Sequence, residues 1–371
     1  MRIGIDVREI QNGVSTGIGR ALFNYLHYVS DVAHKDRYIL FSSRPLPFSF
    51  GTKFQNHVLS ENSVILWDQV KIPLAIRKQG LEIYYSPYYK IPLWTSCKCV
   101  CSVLDVMYLK FEPYQKELGL GATAYYRIFG RKFLDKSIKV FTSSHFSKND
   151  IIDVYKIKSR KIDVIPLSIS SAYYREKDFG KIEAVKNFFG IWGNYLLYVG
   201  NFKLHKNVSV LLHAFRELGI RNGDLKLVLV GPKTHGYKDL AKIASDLGIG
   251  SNVVFTGRVV EEDKLRALYS GAEAFVMPSL YEGFGLPPLE AMACGTPVVC
   301  SNATCLPEVV DDGAILVDPR DPGAIAKAVR SLLGSEELRA RMIVKGSNRA
   351  VLFNEAGVSR KMFDAFRNLT E

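Results

Sequence analysis

Ser279-Leu280-Tyr281-Glu282-Gly283-Phe284-Gly285-Leu286-Pro287-Pro288-Leu289-Glu290-Ala291-Met292 places two carboxylates with seven residues between them around a turn rich in glycine and proline. Gly283 and Gly285 permit close backbone approach, Pro287 and Pro288 suit a first helical turn, and Leu-Glu-Ala-Met-Ala continues as helix. A loop feeding a helix N-terminus presents amide N–H groups and a positive dipole, which suit a diphosphate. Glu282 lies before that helix and Glu290 inside it, where each can accept hydrogen bonds from sugar hydroxyls. The same pair also fits an acidic turn beside a solvated helix face.

Outward from this run, compact apolar stretches recur at Tyr195 to Val199, Leu225 to Val230, Val253 to Phe255, Ala274 to Met277, Val298 to Cys300 and Ile315 to Val317. Helical patterns separate most of them, and each ends near Gly200, Gly231, Gly257, Pro278 or Asp318, where a doubly wound sheet presents its binding loops. The first half repeats the alternation less cleanly, with strands expected at Ile3 to Val7, Tyr38 to Phe41, Val64 to Leu66, Ile83 to Tyr85, Cys99 to Leu104 and Val140 to Thr142. At 371 residues two cores are expected. The polar, aromatic segment Ser168 to Trp192 marks the linker, near residue 185.

Hydrophobic residues make up 47% and charged residues 23%, ordinary usage for a folded chain. Of the 49 Lys+Arg and 37 Asp+Glu, 28 and 17 lie within the first 190 residues, leaving 21 and 20, so the net charge of +12 is almost wholly N-terminal. A basic half suggests an anionic surface and a near-neutral half a soluble ligand. The start, Met1-Arg2-Ile3-Gly4-Ile5-Asp6-Val7, lacks the long apolar region of a secretory signal, and no apolar run is long enough to span a bilayer, so a cytoplasmic location is expected. Cys97, Cys99 and Cys101 alternate along a strand, which points reduced thiols to one buried sheet face; neither they nor Cys294, Cys300 and Cys305 have zinc-site spacing.

Together with Cys294-Gly295-Thr296-Pro297-Val298-Val299 and Leu306-Pro307-Glu308-Val309, the opening run resembles the signature of family 4 glycosyltransferases, retaining enzymes that use sugar nucleotides. The resemblance implies the GT-B fold: two Rossmann-like doubly wound parallel-sheet domains facing a cleft, with a C-terminal helix crossing back to the N-terminal domain. It implies an acceptor-binding domain at 1–185, a nucleotide-sugar domain at 186–354, and a last helix at 355–371 packed on the first domain.

Within that resemblance, Glu282 faces the donor sugar, Glu290 the ribose, and Lys206 of Lys203-Leu204-His205-Lys206-Asn207 supplies a cation to the departing diphosphate. Backbone amides near Gly17 and Gly19, and those of Gly283, Phe284, Gly285 and Leu286, add donors. Thr256-Gly257-Arg258-Val259 resembles the loop lining the base pocket, and is equally a strand exit with a turn glycine. Gly200 and Asn201 belong to the element carrying Lys206; Asn201 stands where relatives often have arginine, which halves the usual pair of cations unless Lys203 or Arg258 compensates. Leu104 replaces a frequent histidine before Asp105, which is left as an acceptor-side catalytic candidate or a turn-capping residue. His145 reads as a helix-entry residue beside an N-cap serine. No cofactor or metal is expected, since lysine and amides supply the neutralisation.

The form Gly-Asn-x-Lys-x-His-Lys-Asn resembles mannosyltransferase-like members, making GDP-mannose the first donor guess among nucleotide hexoses. Tyr125 to Lys139 interleaves aromatics and cations, which fits either an anionic bilayer surface or a helix packed on the sheet. A membrane surface would make the acceptor a lipid-linked saccharide of an envelope polymer such as O-antigen, capsule or lipopolysaccharide, and the enzyme a hexosyltransferase peripheral to the inner membrane face. Rival readings differ in what they need. A dinucleotide oxidoreductase needs a third glycine where Leu22 stands; a two-domain epimerase shares the architecture, and a phosphorylase needs a pyridoxal lysine that is not identifiable; a nucleic-acid-binding protein needs a recognition module that is not apparent.

Overall fold

Seven parallel strands form the first sheet: β1 (Arg2–Asp6), β2 (Arg37–Ser42), β3 (Phe54–Val58), β4 (Ile83–Ser86), β5 (Lys98–Ser102), β6 (Lys139–Thr142) and β7 (Ile162–Val164), in the order β3-β2-β1-β4-β5-β6-β7. Six form the second: β8 (Asn194–Val199), β9 (Leu225–Val230), β10 (Val253–Gly257), β11 (Ala274–Met277), β12 (Val298–Ser301) and β13 (Ala314–Val317), in the order β10-β9-β8-β11-β12-β13. The computed structural model describes residues 1–13, 16–32, 34–219, 225–234 and 236–369. Both sheets are doubly wound and reverse their order beside the first strand, at β1/β4 and at β8/β11. Strands such as β9, Leu-Lys-Leu-Val-Leu-Val, are apolar almost throughout because helices cover both faces.

The chain divides into Met1–Ser168 with Glu355–Glu371, and Ile169–Asn354. The segment Ser168 to Trp192 is not wholly irregular: Phe179–Phe188 is a helix whose N-cap Asp178 accepts from the amides of Gly180 and Lys181, and whose Ile182 is buried in the second unit. The terminal helix Glu355–Arg367 packs on the first sheet. Phe366 lies 5.2 to 5.6 Å from the rings of Tyr85, Phe141 and Tyr25, and its burial contributes about 2 kcal/mol or more.

Three strand expectations of the first sheet need correction. Val64–Leu66 is helical: the Ser63 hydroxyl accepts from the Leu66 amide, and Val64, Ile65 and Leu66 stay exposed while the next residue, Trp67, enters the core. Neither edge strand is among the expected ones: Gln55, Asn56 and His57 interrupt the apolar pattern of β3, and β7 is only the three residues Ile-Asp-Val. In β5 the alternation holds: Cys99 and Cys101 join Cys97 in the core on one face, and Val100 packs on the other. Burial pushes these thiols up to about 12, so they stay protonated.

Candidate active site

Because β8 and β11 are neighbours across the point where the second sheet reverses, the loops leaving their carboxyl ends lie side by side. The first runs from Gly200 to Asn207 and closes with a short 3₁₀ turn, Leu204–Lys206. The second runs from Pro278 to Gly285. Two contacts zip them: the Leu280 amide donates to the His205 carbonyl at 2.7 Å, and the Asn207 amide group donates to the Pro278 carbonyl at 3.1 Å while also reaching the Pro319 carbonyl, after β13, at 2.6 Å. Asn207 adopts a left-handed φ of 55°, which asparagine tolerates better than most residues. This turn delivers the preceding side chain, Lys206, to the second loop.

There Lys206 Nζ donates to Glu282 Oε1 at 2.6 Å, with the two side chains 12% and 11% exposed. An ammonium and a carboxylate separated by 76 positions in sequence thus form one mostly buried pair. His205 is buried beside them, and its pKa is pushed down to about 4, chiefly by burial and further by Lys206 and Lys203 against the opposing pull of Glu282. At neutral pH its imidazole therefore adds no charge.

The Glu282 loop is held from behind by the segment after β12. Thr304 Oγ1 accepts from the Glu282 amide at 3.1 Å, and Cys305 Sγ donates to the carbonyls of Glu282 and Phe284 at 3.2 and 3.1 Å. Burial raises the Cys305 pKa well above that of an ordinary thiol, so it remains a donor. Phe284 is buried against Phe353, which makes it an anchor of the loop. Gly285 has a φ of 95°, and a Cβ there would lie 2.7 Å from Leu306 Cδ2, so both backbone and space demand glycine.

Gly285 caps the helix Leu286–Ala293, which begins as expected with Pro287 and Pro288 in its first turn. Neither proline has an N–H, however, so amide donation at that end is restricted to the loop, Gly285 and Leu286. Glu290 is placed differently from Glu282: it is only 6% exposed and accepts from the Tyr269 hydroxyl at 2.8 Å. The two glutamates therefore answer to different partners.

Around this centre, the Asn201 side chain accepts from the Lys203 amide and its carbonyl from the Tyr198 hydroxyl, so it serves the loop's own geometry. Lys203 and Arg258 are exposed. Gly200, Gly231 and Gly257 close the ends of β8, β9 and β10 through Gly200 N to Val230 O and Gly231 N to Gly257 O, at 2.9 and 3.1 Å. Val259 follows in the loop after β10.

The remaining candidates belong to the first unit. Gly17 opens the helix Gly17–Asp31, but the Gly19 amide donates to the N-cap Thr16 hydroxyl at 3.0 Å, so it is already engaged in the cap. A Cβ at Gly19 would crowd Glu9, which explains the glycine structurally. Asp105 Oδ1 accepts from the Met107 amide at 3.0 Å after β5, the geometry of a capped turn. His145 opens the helix His145–Tyr155 behind the N-cap Ser144. Thr304, Cys305, Asn207 and Tyr269 had no assigned role in the sequence, since each acts through a partner 21 or more residues away.

Residues 186–349 match the family described as glycosyl transferases group 1. The chain is 33% identical over 297 residues to O-antigen chain mannosyltransferase B of Escherichia coli, covering 80% of this chain and 76% of that protein. This chain is a group 1 glycosyltransferase. The glycosyltransferase has the GT-B fold: sucrose-phosphate synthase from Thermosynechococcus elongatus superposes with a TM-score of 0.81 at 18% identity, covering 100% of this chain and 99% of that one. Alr3699/HepE of Anabaena, solved in complex with UDP and glucose, superposes with a TM-score of 0.77 at 15% identity, covering 99% and 100%.

Proposed function

We propose that this glycosyltransferase moves mannose from GDP-mannose, with retention of anomeric configuration, to a saccharide acceptor of an envelope polysaccharide such as O-antigen. The observation that carries the reading is the convergence of Lys206 and Glu282 at the switch point of the second sheet. The similarity to an O-antigen chain mannosyltransferase supports the choice of sugar and of acceptor class. In the resting pair the ammonium and carboxylate neutralise one another. An arriving diphosphate competes for the ammonium, and Glu282, released, accepts from a donor-sugar hydroxyl. Lys206 and the amides of the Gly283–Leu286 loop then stabilise the charge that grows on the leaving phosphate.

As the bond from the anomeric carbon to the phosphate oxygen breaks, the acceptor hydroxyl attacks from the same face and its proton passes to a phosphate oxygen. Lys206 and the loop amides supply the charge neutralisation in this scheme, without a metal. Glu290 takes the ribose side, and Asp105, at the end of β5, the acceptor side. Proton NMR of the first-formed product checks the proposal: an α-mannoside is expected, and a β-mannoside contradicts retention.

Among the described residues, no helix is long and apolar enough to cross a membrane. The helical segment Glu112–Lys136, which kinks at Gly119 (φ 75°), nevertheless exposes Leu120 just after the kink, and Tyr125, Ile128 and Phe129 beside Arg127, Arg131 and Lys132 in its second part. We propose that this face rests on an anionic bilayer that carries a lipid-linked acceptor, each basic residue near the surface contributing about 1 kcal/mol. Flotation should recover the protein with vesicles containing acidic lipid and not with neutral ones; equal recovery removes the membrane from the account.

A further inference from the structure

The first unit holds a cavity that the donor chemistry does not use. It lies where the first sheet reverses its order: Arg8 follows β1, Tyr88 and Tyr89 follow β4, and Tyr108 follows β5, while Tyr126 comes from the helix Glu112–Lys136. The space measures about 550 Å³. Its aromatic wall is continuous, with the Tyr108 and Tyr126 rings 4.7 Å apart and those of Tyr89 and Tyr126 6.2 Å apart. Such faces match the C–H faces of a sugar ring, and sugar hydroxyls then require fixed polar groups at the edge of the stack.

Those groups are present and held rigidly. Arg8 lies 4.5 Å over the Trp67 ring, bonded to the fully buried Asp6 and, at 3.0 Å, to Asp68. Asp68 itself lines the cavity. The Tyr89 hydroxyl is buried and has no hydrogen-bond partner among the described residues. A buried orphan hydroxyl costs stability, and a ligand that pairs with it removes that cost.

The charge distribution selects among ligands. Arg8 and Lys90 stand against Asp68 on the lining and against Asp6 and Glu9 behind it, and the guanidinium is already committed to two carboxylates. A phosphate would find no unneutralised cationic cluster here. A neutral sugar residue would find a stacking surface and ready polar partners.

We propose that this cavity is a subsite for an uncharged sugar residue of the acceptor, its ring stacked on Tyr108 and Tyr126 and its hydroxyls bonded to Asp68 and the Tyr89 hydroxyl. The assignment rests on the reading of the acceptor as a saccharide. It adds that the recognised part of the acceptor is neutral, so that any phosphate it carries is bound elsewhere.

Saturation-transfer NMR on the full chain tests the subsite, with α-linked mannobiose and mannose 6-phosphate as probes and parallel titrations of GDP and UDP. Wild type should transfer saturation to mannobiose and not detectably to mannose 6-phosphate. Tyr126→Ala should weaken mannobiose at least about tenfold. Tyr89→Phe keeps the ring and removes only the orphan hydroxyl; it should weaken mannobiose several-fold while holding or raising Tm. Nucleotide binding should stay within about twofold in both variants. Equal mannobiose binding in all three proteins, preference for mannose 6-phosphate, or no mannobiose signal from protein that binds nucleotide would overturn the subsite. Loss of nucleotide binding in wild type would instead strike the donor proposal.

Discussion

Lys206→Ala is expected to lower kcat about a thousandfold, the upper range for removal of one preorganised donor to a developing negative charge. The side chain is 12% exposed and held at 2.6 Å from Glu282, so little reorganisation is needed when a diphosphate arrives. The same substitution strands Glu282, which is 11% exposed, and leaving a largely buried carboxylate unpaired costs about 3 kcal/mol of stability. Activity and stability should therefore fall together in the single variant. The double variant Lys206→Met with Glu282→Gln separates them, because a neutral amide beside a methionine requires no counter-ion: Tm should return towards wild type while kcat stays low. Recovery of activity in that variant would reduce the pair to a structural bridge. Initial-rate assays beside thermal unfolding make both readings.

Gly231→Ala is expected to destabilise the second unit by about 3 kcal/mol, the upper end for overpacking, and so to lower its unfolding temperature by about 6–12 °C. A Cβ at this position runs into the carbonyl oxygen of Gly200 and lies 2.9 Å from Phe202 Cζ. The obstacle is backbone at the end of β8, so no rotamer change relieves it. The strand ends are tied there by Gly200 N to Val230 O and Gly231 N to Gly257 O, and separating them would displace the loop that carries Lys206. Gly248→Ala supplies the comparison: its φ is 69° but no atom of the described residues lies within 4 Å of the added carbon, so only conformational strain of about 1 kcal/mol is expected. Differential scanning calorimetry of the two variants distinguishes collision from strain. Equal losses would contradict the close approach of Gly231 and Gly200.

The strands of the second sheet are legible because each is a short, nearly unbroken apolar run, and all but β12 end at glycine, proline or aspartate. The helix after Gly285 was legible for a similar local reason, its two prolines suiting only a first turn. Val64–Leu66 misled because three adjacent apolar residues resemble a buried strand, whereas the structure leaves them exposed and buries Trp67. Lys206 and Glu282 could each be proposed from motif and chemistry, but their pairing depends on strand order, which places β8 beside β11 although two strands intervene in sequence. The same distance hid the supports: Asn207 reaches Pro319 across 112 positions, and Cys305 holds two carbonyls of a loop more than twenty residues earlier. Gly19 illustrates the converse, since a Gly-x-Gly pattern that suits an anion loop also serves a threonine-capped helix packed tightly against Glu9.

Isothermal titration of GDP, UDP and ADP into wild type and Lys206→Ala addresses the donor assignment most directly. One diphosphate, with GDP expected, should bind wild type at a single site and bind the variant at least about tenfold more weakly. Heats indistinguishable from dilution for all three, or equal affinity in the two proteins, would contradict the role given to Lys206 and the loop that holds it.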